Sequence, residues 1–334
     1  MRLHNVIALD VIGVGLLAAA ISVFGCNNDS ASSDDSAAAA IQEQSPASAE
    51  AVVPAPPSPA ITPRPDTAVK QPREVSYAEA EAAYNDRRYA EATDLFTRYT
   101  DTKPQNPWGH YMLGLSARKA GDSETAERAF NRALELDPKH VKSMLNLSRV
   151  LLDTGRPDDA MEQLYAVFEI DPESGAAYRL QGRAMHQLGD PSDAIAAYQD
   201  AIRIDSTDAW SINNLGLIYI EQGRFEEALP ALARATELRN DVAVFRNNLG
   251  IALENNGHFR DAEDAYRAAV DLDAGYETAA TNLARVSEVA QDPATTPADL
   301  EQLAQEFVAS SERWTSIGKA DGEEVAVDAP TLRQ

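Results

Sequence analysis

Asparagine returns at one place in a repeating pattern, as Asn146, Asn214, Asn248 and Asn282, with Asn213 and Asn247 beside two of them. A carboxamide carries both N–H donors and a carbonyl acceptor, so it can pair with a peptide backbone whatever side chains that peptide bears. Spaced one repeat apart, such groups would clamp an extended chain; the alternative is that asparagine is merely a frequent residue at that place in ordinary repeats of this kind. Arg149, Arg179, Arg183 and Arg285 accompany them, and a guanidinium can hold a carboxylate bidentately. One thiol, Cys26, completes the reactive inventory, and a single cysteine excludes an internal disulfide and any cysteine-rich metal site.

Other chemistry is missing from the pattern. The five histidines, His4, His110, His140, His186 and His258, include no pair at the three- or four-residue spacing that helical metal ligands need. No glycine-rich phosphate loop follows a strand, and no strand pattern is present. We therefore expect no cofactor, no metal and no enzymatic activity. Acidic residues outnumber basic ones 53 to 29, a formal charge of −24, which opposes binding to nucleic acid or to an anionic membrane surface.

The elements that must carry these residues repeat every 34 residues, without an insertion, from Arg73 to Tyr276. The six units are 73–106, 107–140, 141–174, 175–208, 209–242 and 243–276. Their eighth positions are Ala80, Gly114, Ser148, Gly182, Gly216 and Gly250, and their twentieth are all alanine, from Ala92 to Ala262. Small residues at both places let two antiparallel helices approach closely. Phe96, Phe130, Leu164, Tyr198, Leu232 and Tyr266 fill the space between them. Gly121, Gly155, Gly189, Gly223 and Gly257 stand where the first helix ends, as a left-handed C-terminal cap requires. Pro157 and Pro191 open second helices, and Pro104, Pro138 and Pro172 separate units.

This period and pattern resemble the tetratricopeptide-repeat family, whose unit is a helix–turn–helix. The resemblance implies an all-α, right-handed superhelical solenoid of six units. Glu79 and Arg87 make the first unit the least typical. A capping helical pair is expected over 277–314, with Leu300, Leu303 and Phe307 on one face of its second helix, and a disordered acidic tail over 315–334.

Stacked helical pairs make a concave binding surface. In the family the first helix of each unit lines it, through positions two, five, six, nine, twelve and thirteen. Those positions hold the asparagines. They also place Arg118, Lys119, Arg149, Arg179 and Arg183 in a basic N-terminal half, and Trp210, Leu217, Ile220, Val244 and Ile251 in an apolar C-terminal half, before Arg285. An acidic and then apolar peptide would complement that order; otherwise the arginines pair locally with Glu and Asp. The family's clamp for C-terminal carboxylates needs a Lys and Asn arrangement that no consecutive units supply here.

At the other end, Val11–Phe24 is an uncharged apolar stretch ending at Gly25-Cys26. A helix of that length reaches roughly 21 Å, short of a hydrocarbon core of about 30 Å. Val23-Phe24-Gly25-Cys26 resembles the lipobox of bacterial lipoproteins, although Phe24 is bulkier than usual and Asp10 weakens the positive start. The resemblance implies a signal peptide over 1–25, acyl chains including palmitate on Cys26, and attachment to membrane. The alternative is an uncleaved helical anchor from about Leu3 to Phe24. Residues 26–72 contain eight prolines and no aromatic residue, the composition of a disordered tether.

The layout is similar to that of pilotin-type tetratricopeptide lipoproteins. A protein or extended peptide client is expected in the groove. The cell envelope is the expected location, with Asn27 favouring an outer membrane and a periplasmic face. A second reading is a carbohydrate- or small-ligand-binding accessory in which Trp108 and Trp210 stack on sugar rings.

Overall fold

In units two to six a first helix of 13 or 14 residues, one residue of positive φ, and a second helix of 14 residues recur at the period read from the sequence; in unit one the first helix is shortened to nine. The computed structural model describes residues 74–289 and 296–320, with side chains described to Trp314, all within one unit spanning 61–334. The signal, Cys26, the tether and most of the acidic tail lie outside the described residues.

Among the described residues there are fourteen helices and no strand. First helices are α1 (Tyr77–Asn85), α3 (Pro107–Lys119), α5 (Val141–Asp153), α7 (Gly175–Leu188), α9 (Ala209–Glu221), α11 (Ala243–Asn255) and α13 (Glu277–Ser287). Second helices are α2 (Tyr89–Thr102), α4 (Ser123–Leu136), α6 (Pro157–Ile170), α8 (Pro191–Ile204), α10 (Phe225–Leu238) and α12 (Phe259–Leu272). Starts are set by side chains that accept from free N–H groups, as Ser76, Asn106, Asp122, Asp190 and Asp208 do. Pro107, Pro157 and Pro191 occupy the first turn, where the missing N–H breaks no hydrogen bond.

The turn between the helices of a unit needs a left-handed residue. Gly121, Gly155, Gly189, Gly223 and Gly257 supply it with φ between 72 and 84°. In the first unit Arg87 takes that place at φ 60°, the one non-glycine residue of positive φ among those described. Close approach within the unit has an equally local cause. A Cβ on Gly182 would meet Tyr198 at 2.7 Å, and one on Gly250 would meet Tyr266 at 2.6 Å. Those glycines let one side of an aromatic ring lie directly against the first helix.

Each helix from α1 to α13 packs against its neighbours in the chain, so the units stack in sequence order. Consecutive first helices also touch, as α1 with α3, α3 with α5, α5 with α7 and α9 with α11. No comparable contact joins consecutive second helices. The first helices therefore crowd together on the inner side of a curved superhelical stack, and the second helices fan out on the convex side.

The C-terminal helices are present but arranged differently from the expected pair. Helix α13 packs on α12 as the first helix of a seventh unit would. Helix α14 (Leu300–Ala320) packs instead on α10 and α8, on the convex side, and it runs six residues past the expected boundary at 314. The reason is the counterface each offers. Helix α13 is largely polar or exposed at Glu277, Thr278, Thr281 and Arg285, whereas α10 presents Leu229, Ala233 and Thr236. Leu300 and Leu303 pack against the core that contains Leu229, and Ala304 and Phe307 are buried.

Candidate functional site

The asparagines lie on the first helices, on the inner side, where the repeat positions put them. They do not stand as separate teeth. Arg285 Nη2 donates to Asn282 Oδ1 at 3.1 Å, and Asn282 Nδ2 donates to Asn247 Oδ1 at 3.0 Å. Asn247 then donates to Asn248 at 3.5 Å, and Asn248 Nδ2 to Asn213 Oδ1 at 3.1 Å. Asn213 donates to Asn214 at 3.4 Å, and Asn214 to the Tyr198 hydroxyl at 3.3 Å. One continuous row of carboxamides thus runs from α13 back to α8.

Burial divides that row. Asn213, Asn247 and Asn248 are 0, 2 and 4 % exposed, while Asn214 and Asn282 are half-buried at the edge of the inner face. The step from one unit to the next joins position five to position six, 35 residues apart. The sequence carried that signal as asparagine at both places in units five and six, although only the sixth-position series stood out. Asn146 stands apart from the row. It is buried, donates to the Lys142 carbonyl at 2.9 Å and accepts from Arg149 at 3.3 Å.

The basic N-terminal half expected for the groove is neutralised at two of its groups, Arg179 and Arg183. Arg179 meets Asp208, the cap of α9 at the end of the same unit, at 2.7 Å, and Arg183 meets Asp153 of the preceding unit at 2.6 Å. His186 and Glu221 lie 2.6 Å apart across the next junction. Arg285 pairs with Glu254, which also accepts from the Tyr266 hydroxyl at 2.9 Å. Burial pushes the Tyr266 phenol pKa up, so it stays a donor at neutral pH. Arg149 is itself buried. For Arg179, Arg183 and Arg285 the geometry supports local pairing, because buried or half-buried guanidinium groups need a counter-charge. Asp153, Asp208, Glu221 and Glu254 were the partners missed, and their 29- to 35-residue separations are the signal that would have found them.

The apolar C-terminal half is partly open. Leu217, Ile251 and Val244 are half-buried, whereas Ile220 is 4 % exposed. Trp210 is 6 % exposed and sits edge-on to Phe245 at 4.9 Å. Its ring face is in the core, which removes it as a platform for a sugar ring. Trp108, at 38 % exposure, is the open one of the two. It lies edge-on to His140 at 4.7 Å, and His140 is in turn 5.0 Å from Tyr111.

His140 caps α5 through its ring. Nδ1 accepts from the Ser143 N–H at 3.2 Å and lies 2.7 Å from Ser143 Oγ. Burial holds the imidazole pKa below its ordinary value, and the nearby Lys142 adds to that against the opposing charge of Asp137. Among the described residues no group of His, Cys, Asp and Glu could hold a metal ion. No described helix is long and apolar enough to cross a membrane.

Comparison with known proteins agrees with the helix geometry. A tetratricopeptide-repeat profile matches residues 111–174, 213–277 and 247–295, and a second TPR-repeat profile matches 182–223. The repeat region is a tetratricopeptide-repeat array. No curated protein matches the chain. Among solved structures it is similar to a tetratricopeptide repeat protein from Parabacteroides merdae, at 13% identity and TM-score 0.56, over 63% of this chain and 82% of that one. It is also similar to a chain of the APC/C hetero-tetramer Cut9–Hcn1, at 18% identity and TM-score 0.57, over 63% of this chain but only 42% of that one. A thermophilic TPR protein from Thermus thermophilus matches at 21% identity and TM-score 0.49, over 55% of this chain and 100% of its own length. The first two likenesses show the fold. Tetratricopeptide repeats generally act as protein-binding scaffolds, the fold is typically non-enzymatic, and no catalytic family is among the matches.

Proposed function

We propose that the protein is a membrane-anchored scaffold or assembly factor of the bacterial envelope, which holds an extended segment of a client protein against the inner face of its repeats. The observation that carries this reading is the opening in units five to seven. There Leu217 and Ile251 lie half-exposed, with the half-buried amides of Asn214 and Asn282 on the neighbouring positions. Each edge amide keeps an N–H that the carboxamide row does not use, because Asn has two. Apolar contacts alternating with such amides suit an extended peptide, whose side chains alternate and whose backbone needs donors and acceptors. The client segment is therefore mainly apolar, and the acidic lead is given less weight, since Arg179, Arg183 and Arg285 already have carboxylates.

Anchoring belongs to the same proposal. The lipobox-like Val23-Phe24-Gly25-Cys26 supports acylation at Cys26, and Asn27 supports an outer-membrane, periplasm-facing location. Several acyl chains would give stable attachment, which one chain does not. The test uses the full chain in cells grown with labelled palmitate. Cys26→Ser should lose the label and release the protein from membranes, while Leu217→Asp and Ile251→Asp should keep both and lose client binding. Label retained in Cys26→Ser would sink the lipid anchor, and client binding retained in both groove variants would sink the groove.

A further inference from the structure

In a repeat stack each unit touches only its neighbours, so curvature is set by a series of separate junctions and is soft. Helix α14 departs from that plan. Its first residues are fixed to unit six, where the Ala298 N–H donates to Asp261 Oδ2 of α12 at 2.9 Å. It then packs on α10 of unit five and reaches α8 of unit four. At 21 residues it measures about 31 Å, long enough to cross three units.

Helix α10 is built for this contact. Its outward positions are Leu229 and Ala233, at 6 and 3 % exposure, where α4 has Glu127 and Asn131 and α12 has Glu263 and Arg267. The matching face of α14 buries Ala304 and Phe307, and Phe307 lies edge-on to Trp314 at 5.8 Å. On the opposite, inner side the carboxamide row ties the same stretch, from Tyr198 of α8 to Asn282 of α13.

We propose that α14 is an external brace that fixes the spacing of units four, five and six, and so fixes the curvature of the inner face that carries Asn214, Leu217, Ile251 and Asn282. Closing or opening a curved stack changes the distance between its outer helices most, and α14 spans that distance. Its docking is thus a means of setting the groove from the far side. The proposal concerns the shape of the array and does not depend on what the groove binds.

The test is pulsed electron-spin distance measurement on the full chain carrying Cys26→Ser, with label pairs at Glu162 and Asp264 and, as control, at Asp94 and Glu162. All three sites are exposed on second helices. Two variants release the brace: Ala304→Arg, and a chain ending at residue 297. Trp314 emission reports release in the first, and absence of the helix guarantees it in the second. The width of the Glu162–Asp264 distribution should about double in both, as units freed to open locally sample more separations, while the control pair stays unchanged. An unchanged Glu162–Asp264 width in the shortened chain would make α14 a passive cover and overturn the proposal. Equal broadening of both pairs, the sign of general loosening, would overturn it as well.

Discussion

Arg87 holds a left-handed backbone conformation at φ 60° that the other units give to glycine. A side chain in that region costs roughly 1 kcal/mol, because Cβ crowds the carbonyl oxygen. Arg87→Gly should therefore raise stability by about 0.5–1 kcal/mol, measured as the midpoint of denaturant unfolding, despite the greater freedom glycine has when unfolded. A lower midpoint would mean that contacts of the arginine outweigh its strain. His140 offers a second test at this scale. Its pKa is depressed by burial, so the unfolded chain binds the proton more readily than the folded one. Stability is fully present above the ordinary imidazole value near ~6.5 and is lost as pH falls through the lower folded value. His140→Asn keeps a cap acceptor and removes the titration, so its loss of melting temperature between pH 7 and pH 5 should be smaller than that of the unaltered protein. An equal loss would place the acid sensitivity elsewhere.

At the scale of elements, the small residues at positions eight and twenty stated in advance which helices would pair and how closely. Glycines such as Gly250 against Tyr266 meet that expectation within van der Waals contact. The carboxamide row was legible only as a series, because hydrogen bonding between position five of one unit and position six of the next is a property of the junction, absent from any single unit. Its burial changes what a mutation reads. Asn213→Ala removes the acceptor of Asn248 and a donor to Asn214 inside the core, leaving at least one buried polar group unsatisfied at a cost of about 1–3 kcal/mol. Asn214→Ala, at the half-buried edge, should cost less than about 1 kcal/mol. Thermal unfolding of the two variants checks the difference, and equal losses would mean the row contributes no internal strength. For the same reason Asn248 is a poor reporter of ligand binding.

Over the whole molecule, the 34-residue periodicity pointed to six in-phase units followed by a helical pair over 277–314. Helix α14 was legible as an amphipathic helix, since Leu300, Leu303 and Phe307 share a face. Its location was not, because the hydrophobic face states that a partner exists without saying which of many helices supplies it. The uncharged outer positions Leu229 and Ala233 of α10 were the unread half of that message. Net charge misled in a similar way. Arginines inside an acidic chain looked like a basic surface for a ligand, yet an excess of carboxylates makes it simple for a half-buried guanidinium such as Arg179 or Arg183 to find one at the junction of units.

The central claim is that a client segment lies along the inner face of units five to seven. It is tested most directly by placing a photo-crosslinking residue at Leu217 or Ile251, with Arg128 on the outer face as control, in the full anchored chain within cells. A discrete crosslinked protein is expected from Leu217 and Ile251, the same species from both, with none from Arg128, and with loss of the Ile251 crosslink when Leu217 is changed to Asp. Crosslinks that form from Arg128 but from neither inner position would contradict that claim.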